Sequence, residues 1–135
     1  MKGATELIKE IDDIARGLNL DDAENLTKSI VALAQRNFGL GNWLADALEA
    51  ERALERDLKI KRTQLLMQKR KGGQTLGEAE AQAVVETKDI WDELLEVQKA
   101  SSLYKIKRMD TQTLIDTIRS RNSVIKEDLK QEQET

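Results

Sequence analysis

Residues 65–78 read Leu65-Leu66-Met67-Gln68-Lys69-Arg70-Lys71-Gly72-Gly73-Gln74-Thr75-Leu76-Gly77-Glu78. A run of helix formers ends in three cations, a glycine pair follows, and Thr75 stands three residues before Glu78. Cations in a last turn, glycine just beyond it and a Thr-x-x-Glu capping box describe one helix stopping and another starting. The connection is short, so the second helix returns beside the first and the stretch predicts a helical hairpin. Because Gly72-Gly73 follows a helix instead of preceding one, it is not a phosphate-cradling loop.

Upstream, a helix is expected from Asn42 to Lys71. It runs through Trp43, Leu44, Ala47, Leu48, Leu54, Leu58 and Leu65 at nearly a seven-residue repeat, with Glu51 and Lys61 at seam positions. Before it, Gly39-Leu40-Gly41 reads as a break. Ahead of that break lies a small helical pair: residues 4–16 with Leu7, Ile8, Ile11 and Ile14 on one stripe, stopped by Gly17, and a second helix capped by Asp21 or Asp22. The apolar face of this second helix is Leu26, Ile30 and Leu33, with Phe38 a further candidate.

Downstream, no Pro or Gly occurs from Glu78 to Thr135. A helix unbroken to Lys130 would span roughly 80 Å at 1.5 Å per residue. Its apolar positions Ala81, Val84, Val85, Trp91, Leu94 and Leu95 thin out at Ser101-Ser102. They resume at Leu103, Ile106, Met109, Leu114, Ile118, Ile125 and Leu129, which suggests a different packing partner for each half. The fold class is therefore all-α: long hairpin, coiled-coil-like helices in residues 42–135, acting as one unit, with a helical pair in residues 1–41. Apolar stripes on more than one helix face call for self-association into a ring or bundle.

The 135 residues include no His, Cys or Pro, only 3% aromatics and 35% charged residues. Missing His and Cys removes the usual general base, the thiolate and the zinc ligands. No GxxxxGK[ST], GxSxG, HExxH or CxxC pattern occurs, and Asp12-Asp13 and Asp21-Asp22 read as solvated or capping acids. These features point away from an enzyme and imply no metal or cofactor. A lack of cysteine fits a reducing compartment. The opening MKGATELIKEIDDIARG places acids where a signal peptide needs apolar residues, and no run approaches ~18 apolar residues. A soluble cytoplasmic protein without a membrane partner is expected.

The 22 Lys and Arg nearly balance 25 Asp and Glu, yet the charges lie in blocks. Residues 56–71 hold seven bases and one acid, 72–98 hold one and seven, and 99–130 hold eight and four. The simplest use of the first two blocks is to pair across the hairpin. Counting outward from the loop sets Lys69 opposite Glu78 and Glu80, Arg62 near Glu86, and Lys59 and Arg56 near Asp89, Asp92 and Glu93. Lys59, Lys61, Arg62, Lys69, Arg70 and Lys71 cannot all face one partner, so some positive charge is left over. In the third block Tyr104 stands among Lys99, Lys105, Lys107 and Arg108. That arrangement suits either ordinary packing of the ring or stacking on an unpaired base with phosphates held by the cations.

The segment Ser120-Arg121-Asn122-Ser123-Val124-Ile125-Lys126, in a helix that includes Leu114-Ile115-Asp116-Thr117-Ile118, resembles the closing helix of the UvsY-like phage recombination mediator family. Trp43-Leu44, Leu58-Lys59-Ile60-Lys61 and the glycine turn at 72–73 resemble further elements of that family in the same order. The resemblance implies a non-enzymatic homo-oligomer that binds single-stranded DNA and helps a recombinase replace the single-strand-binding protein, in the host cytoplasm if phage-encoded. By the same resemblance Lys59 and Lys61 contact phosphates, with Arg62, Lys69, Arg70 and Lys71 beside them. Arg121 and Lys126 match the terminal motif, either as further DNA contacts or as structural ion pairs. The competing reading is a structural or adaptor helical protein, such as a virion assembly factor or an inhibitor of a host protein, acting through protein contacts only.

Overall fold

A computed structural model describes residues 2–134, which form four α-helices and no strand: α1 Ala4–Arg16, α2 Ala23–Lys71, α3 Leu76–Glu86 and α4 Lys88–Glu134. Local chemistry sets most of the ends. Gly17 closes α1 by donating its N–H to the carbonyls of Asp13 and Ile14. Asp22 caps α2, its Oδ1 accepting from the N–H groups of Glu24 at 3.0 Å and Asn25 at 3.2 Å. At the other end of α2, Gly73 takes φ +93° while the Gly73 N–H reaches Arg70 O and the Gln74 N–H reaches Lys69 O, each at 3.1 Å. This is a Schellman ending, and the left-handed residue favours glycine. Thr75 then caps α3 by accepting from the Glu78 N–H.

The expected break at Gly39-Leu40-Gly41 does not occur. Helix α2 runs straight through it, so a division at residue 41 falls inside a helix. These glycines instead permit close approach. A Cβ at position 39 would lie 3.2 Å from Leu7 Cδ1, and one at position 41 would lie 2.9 Å from Arg108 Cζ. Leu40 between them is fully buried. Tertiary packing here outweighs the ~1 kcal/mol that a glycine costs a helix interior.

The chain forms two compact units, residues 2–44 with 103–134, and residues 45–102. The first unit joins α1, the start of α2 and the second part of α4. Its core comprises Ala4 and Ile11 of α1, Leu26, Leu33 and Leu40 at seven-residue spacing on α2, and Ile115 and Ile118 of α4. Burying each such leucine or isoleucine contributes roughly 1.5–3 kcal/mol. Phe38, a candidate for this face, points outward and is 73% exposed, whereas Leu40 takes the core position. Helix α4 runs antiparallel to α2: Asn122 Nδ2 donates to Thr27 Oγ1 at 3.0 Å, and Arg108 Nε donates to Asn37 O at 3.3 Å. Trp43, expected to open a helix, lies within α2 and donates its indole N–H to Lys2 O at 3.0 Å.

The second unit is the hairpin. The end of α2 lies antiparallel to α3 and the start of α4, as shown by Gln74 Nε2 donating to Gln82 Oε1 at 2.9 Å and Arg62 Nε donating to Thr87 Oγ1 at 3.0 Å. Its buried side chains are mostly small: Ala79, Ala83, Thr87 and Ser101, with Leu58 and Leu94 the large ones. Val84, Val85, Trp91 and Leu95, which the sequence pattern places on an apolar face, are exposed. So is Lys61, expected in the seam, while Glu51 is half-buried. The long downstream helix is divided at Thr87. Its buried hydroxyl donates to Ala83 O at 2.8 Å, and the residue adopts φ −104°, ψ 13° between α3 and α4. Further along, α4 passes from one unit to the other just after Ser101-Ser102, where its large apolar residues thin out.

Candidate nucleic-acid interface

The cations expected to hold a strand fall into two sets, one in each unit. In the hairpin unit Lys59, Lys61, Arg70 and Lys71 are exposed. Lys59, Lys61 and Lys71 form no ion pair among the described residues, and Arg70 makes only a long 3.5 Å contact from Nη1 to Gln74 O. Lys69 is different. Its ammonium lies 3.1 Å from Glu86 Oε2, and its side chain is only 16% exposed. Three cations at the C-terminal turn of α2 also favour the negative end of that helix.

Arg62 is half-buried and already occupied. Besides its bond to Thr87, its guanidinium carbon lies 5.8 Å from the centroid of the Trp91 ring, a cation–π arrangement. Val84, Val85, Lys88 and Trp91 line an apolar pocket beside it. Lys88 pairs with Asp92 at 3.0 Å, and that hydrogen bond holds the Lys88 ammonium above its ordinary pKa. Asp92 is thereby satisfied within its own helix. None of the expected pairs across the hairpin forms among the described residues: Lys69 pairs with Glu86 and not with Glu78 or Glu80, Arg62 bonds Thr87 and not Glu86, and Lys59 and Arg56 find no acid on α4.

In the other unit most of the expected contacts serve the fold. Tyr104 is half-buried against the core, which removes its ring as an open stacking platform. Lys107 pairs with Asp12 of α1. The Arg108 guanidinium lies across Gly41 and bonds to Asn37 O. Arg121 donates from Nε to Leu20 O at 2.9 Å and from Nη2 to Asp21 Oδ1 at 3.1 Å. It therefore clips α4 to the turn between α1 and α2, the structural role left open for it. Lys105 and Lys126 are exposed and make no ion pair among the described residues.

Sequence reasoning missed Thr87, Asn37 O and Leu20 O as the acceptors that occupy these arginines. Two of the three are backbone carbonyls, which no side-chain pattern reveals. Elsewhere Glu10 lies between Lys2 and Arg36, with Arg36 Nε 3.6 Å away. The hydrogen bond from Lys2, supported by the charge of Arg36, holds its carboxyl below the ordinary carboxylate range. Among the described residues no group of acids is arranged to hold a metal ion, and no helix is long and apolar enough to cross a membrane. No family model, curated protein or solved structure matches the chain.

Proposed function

We propose that the chain is a non-enzymatic mediator of phage-type recombination: a cytoplasmic homo-oligomer that binds single-stranded DNA and assists a recombinase in displacing the single-strand-binding protein. The ordered resemblance of Trp43-Leu44, Leu58-Lys59-Ile60-Lys61, the 72–73 turn and Ser120–Lys126 supports the identity of the process. The observation that carries DNA binding is the state of the cations on α2. Lys59, Arg70 and Lys71 remain exposed on a stretch whose one acid is Asp57. Exposed, uncommitted cations neutralise phosphates with release of counterions, so affinity falls steeply with salt. Each strip is weak, and several strips in one oligomer add along a strand.

Fluorescence anisotropy of a labelled oligothymidylate at low and rising salt tests this reading. Tight binding at low salt that weakens steeply is expected, and no binding at low salt refutes it.

A second reading, an adaptor or assembly protein working through protein contacts alone, is favoured by the exposed Val84, Val85 and Trp91 and by the commitment of Arg62, Lys69, Lys107, Arg108 and Arg121 to the fold. On that reading, charge reversal at Lys59 and Lys71 abolishes a protein partner's co-purification and leaves nucleic acid unbound throughout.

A further inference from the structure

The pair Lys59 and Lys61 stands two residues apart on a continuous helix, and such residues point to opposite sides of it. One strand lying along α2 therefore cannot meet both. At about 100° per residue, the exposed cations that share a side with Lys59 are Arg52, Arg56 and Arg70, with Thr63 among them, all within about 60° of one another; exposed Glu55, about 40° from Lys59, and Glu49, about 20° from Arg56, flank this row. Lys61 lies about 160° from Lys59, on the same side as Asp57.

Arg52, Arg56 and Lys59 make no ion pair among the described residues, although Glu49, Glu55 and Asp57 are near in sequence. Thr63 spends its hydroxyl proton on Lys59 O at 2.8 Å, so it can accept but not donate to a phosphate. Four donors remain on this side, and the outer two are 18 residues apart, roughly 27 Å of helix. Beside the cations runs an apolar row. Ile60 is 50% exposed and Met67, seven residues on, is 56% exposed. Met67 lies about 20–80° and Ile60 about 40–100° from the four cations, both nearest to Arg56.

We propose that one nucleic-acid strand tracks this single side of α2, its phosphates held by Arg52, Arg56, Lys59 and Arg70 and its bases laid against Ile60 and Met67, with Lys61 outside the contact. The inference rests on the nucleic-acid-binding reading above and adds a path and two residues, Arg52 and Arg56. Adjacent cationic and apolar rows suit unpaired bases, whose faces are open, better than a duplex, whose bases are stacked inside.

The test compares the full chain with Arg52→Ala/Arg56→Ala, Arg52→Lys/Arg56→Lys and Lys61→Ala variants. A fluorescein-labelled oligothymidylate serves as the probe, and the same sequence annealed to its complement as the competitor. The alanine pair is expected to weaken single-strand binding about tenfold and to lower the slope of log affinity against log salt by about 1.4, near 0.7 for each lost phosphate contact. The lysine pair is expected to restore both, and Lys61→Ala to stay within about twofold of the wild type. Circular dichroism of the variants checks that helicity is kept. A wild type that binds and loses as much on Lys61→Ala as on the alanine pair overturns the path while leaving nucleic-acid binding standing. A duplex that competes as well as the single strand overturns the role of Ile60 and Met67. A wild type that binds no strand at low salt overturns the function and the path together.

Discussion

At the scale of single residues the structure exchanges two neighbours. Phe38, the larger and more apolar side chain, faces out at 73% exposure, while Leu40, flanked by glycines, is fully buried among Leu33, Ile115 and Ile118. Size and hydropathy do not decide which residue enters the core; helical phase does, and Leu40 continues the Leu26-Leu33 spacing. Leu40→Ala should therefore destabilise the protein by about 2–5 kcal/mol, the range for a buried leucine replaced in a packed core. Phe38→Ala should stay within about 0.5 kcal/mol. Urea denaturation followed by circular dichroism measures both, and equal losses would show that the assigned phase is wrong.

Glu10 supports a second expectation at this scale. Its carboxyl is held below the ordinary value of 4.5 by Lys2 and then by Arg36. A carboxyl with a lower pKa in the folded state contributes stability that is fully present above its unfolded pKa and lost as pH falls through the folded value. Stability should consequently decline below pH 4.5, and Glu10→Gln should flatten that decline in a series of denaturation midpoints against pH.

At the scale of elements Thr87 concentrates the hairpin's polar chemistry. It is 1% exposed, it donates to Ala83 O, and it accepts from Arg62 Nε, which in turn lies over Trp91. Valine has the same shape without the hydroxyl, so Thr87→Val leaves the Arg62 donor without its acceptor. A loss of about 1–3 kcal/mol is expected, together with a change in Trp91 fluorescence as the guanidinium leaves the ring. Unchanged stability and fluorescence would mean that the bond does not organise the junction.

The turn at 72–75 was readable because its causes are local: a glycine with positive φ and a hydroxyl cap reach only across a few residues. The passage of α2 through Gly39 and Gly41 was not readable, because its cause is the side chains of Leu7 and Arg108, far away in the chain. For the same reason the cationic blocks were visible in the sequence, whereas the partners that retire Arg62, Arg108 and Arg121 from a binding role were not. The face that packs α3 is made of Ala79, Ala83 and Thr87, and a search for large apolar side chains passes over it.

At the scale of the whole molecule, each unit keeps large apolar side chains in solvent after its own core is complete. The hairpin unit exposes Val84 at 52%, Val85 at 70% and Trp91 at 42%, and the other unit exposes Ile106 at 59% and Met109 at 62%. Contiguous exposed apolar residues on a helix are covered most simply by another copy of the same surface or its complement. The chain should therefore sediment as a multiple of 15.3 kDa at micromolar concentration, and a species of that mass alone would refute self-association. Val85→Glu with Trp91→Glu places charge where the apolar residues stand exposed in the protomer. Helicity should persist while the sedimenting mass falls. The same variant separates the two layers of the proposed function. A short oligonucleotide occupies one cationic strip and should bind it about as well as before. A long one engages several strips only in the assembly, so its affinity should drop by a factor of 10 to 100 or more. An equal loss on both lengths would instead place Val85 or Trp91 within the strip itself, and the strand would then have to follow α3 or the start of α4 and not α2.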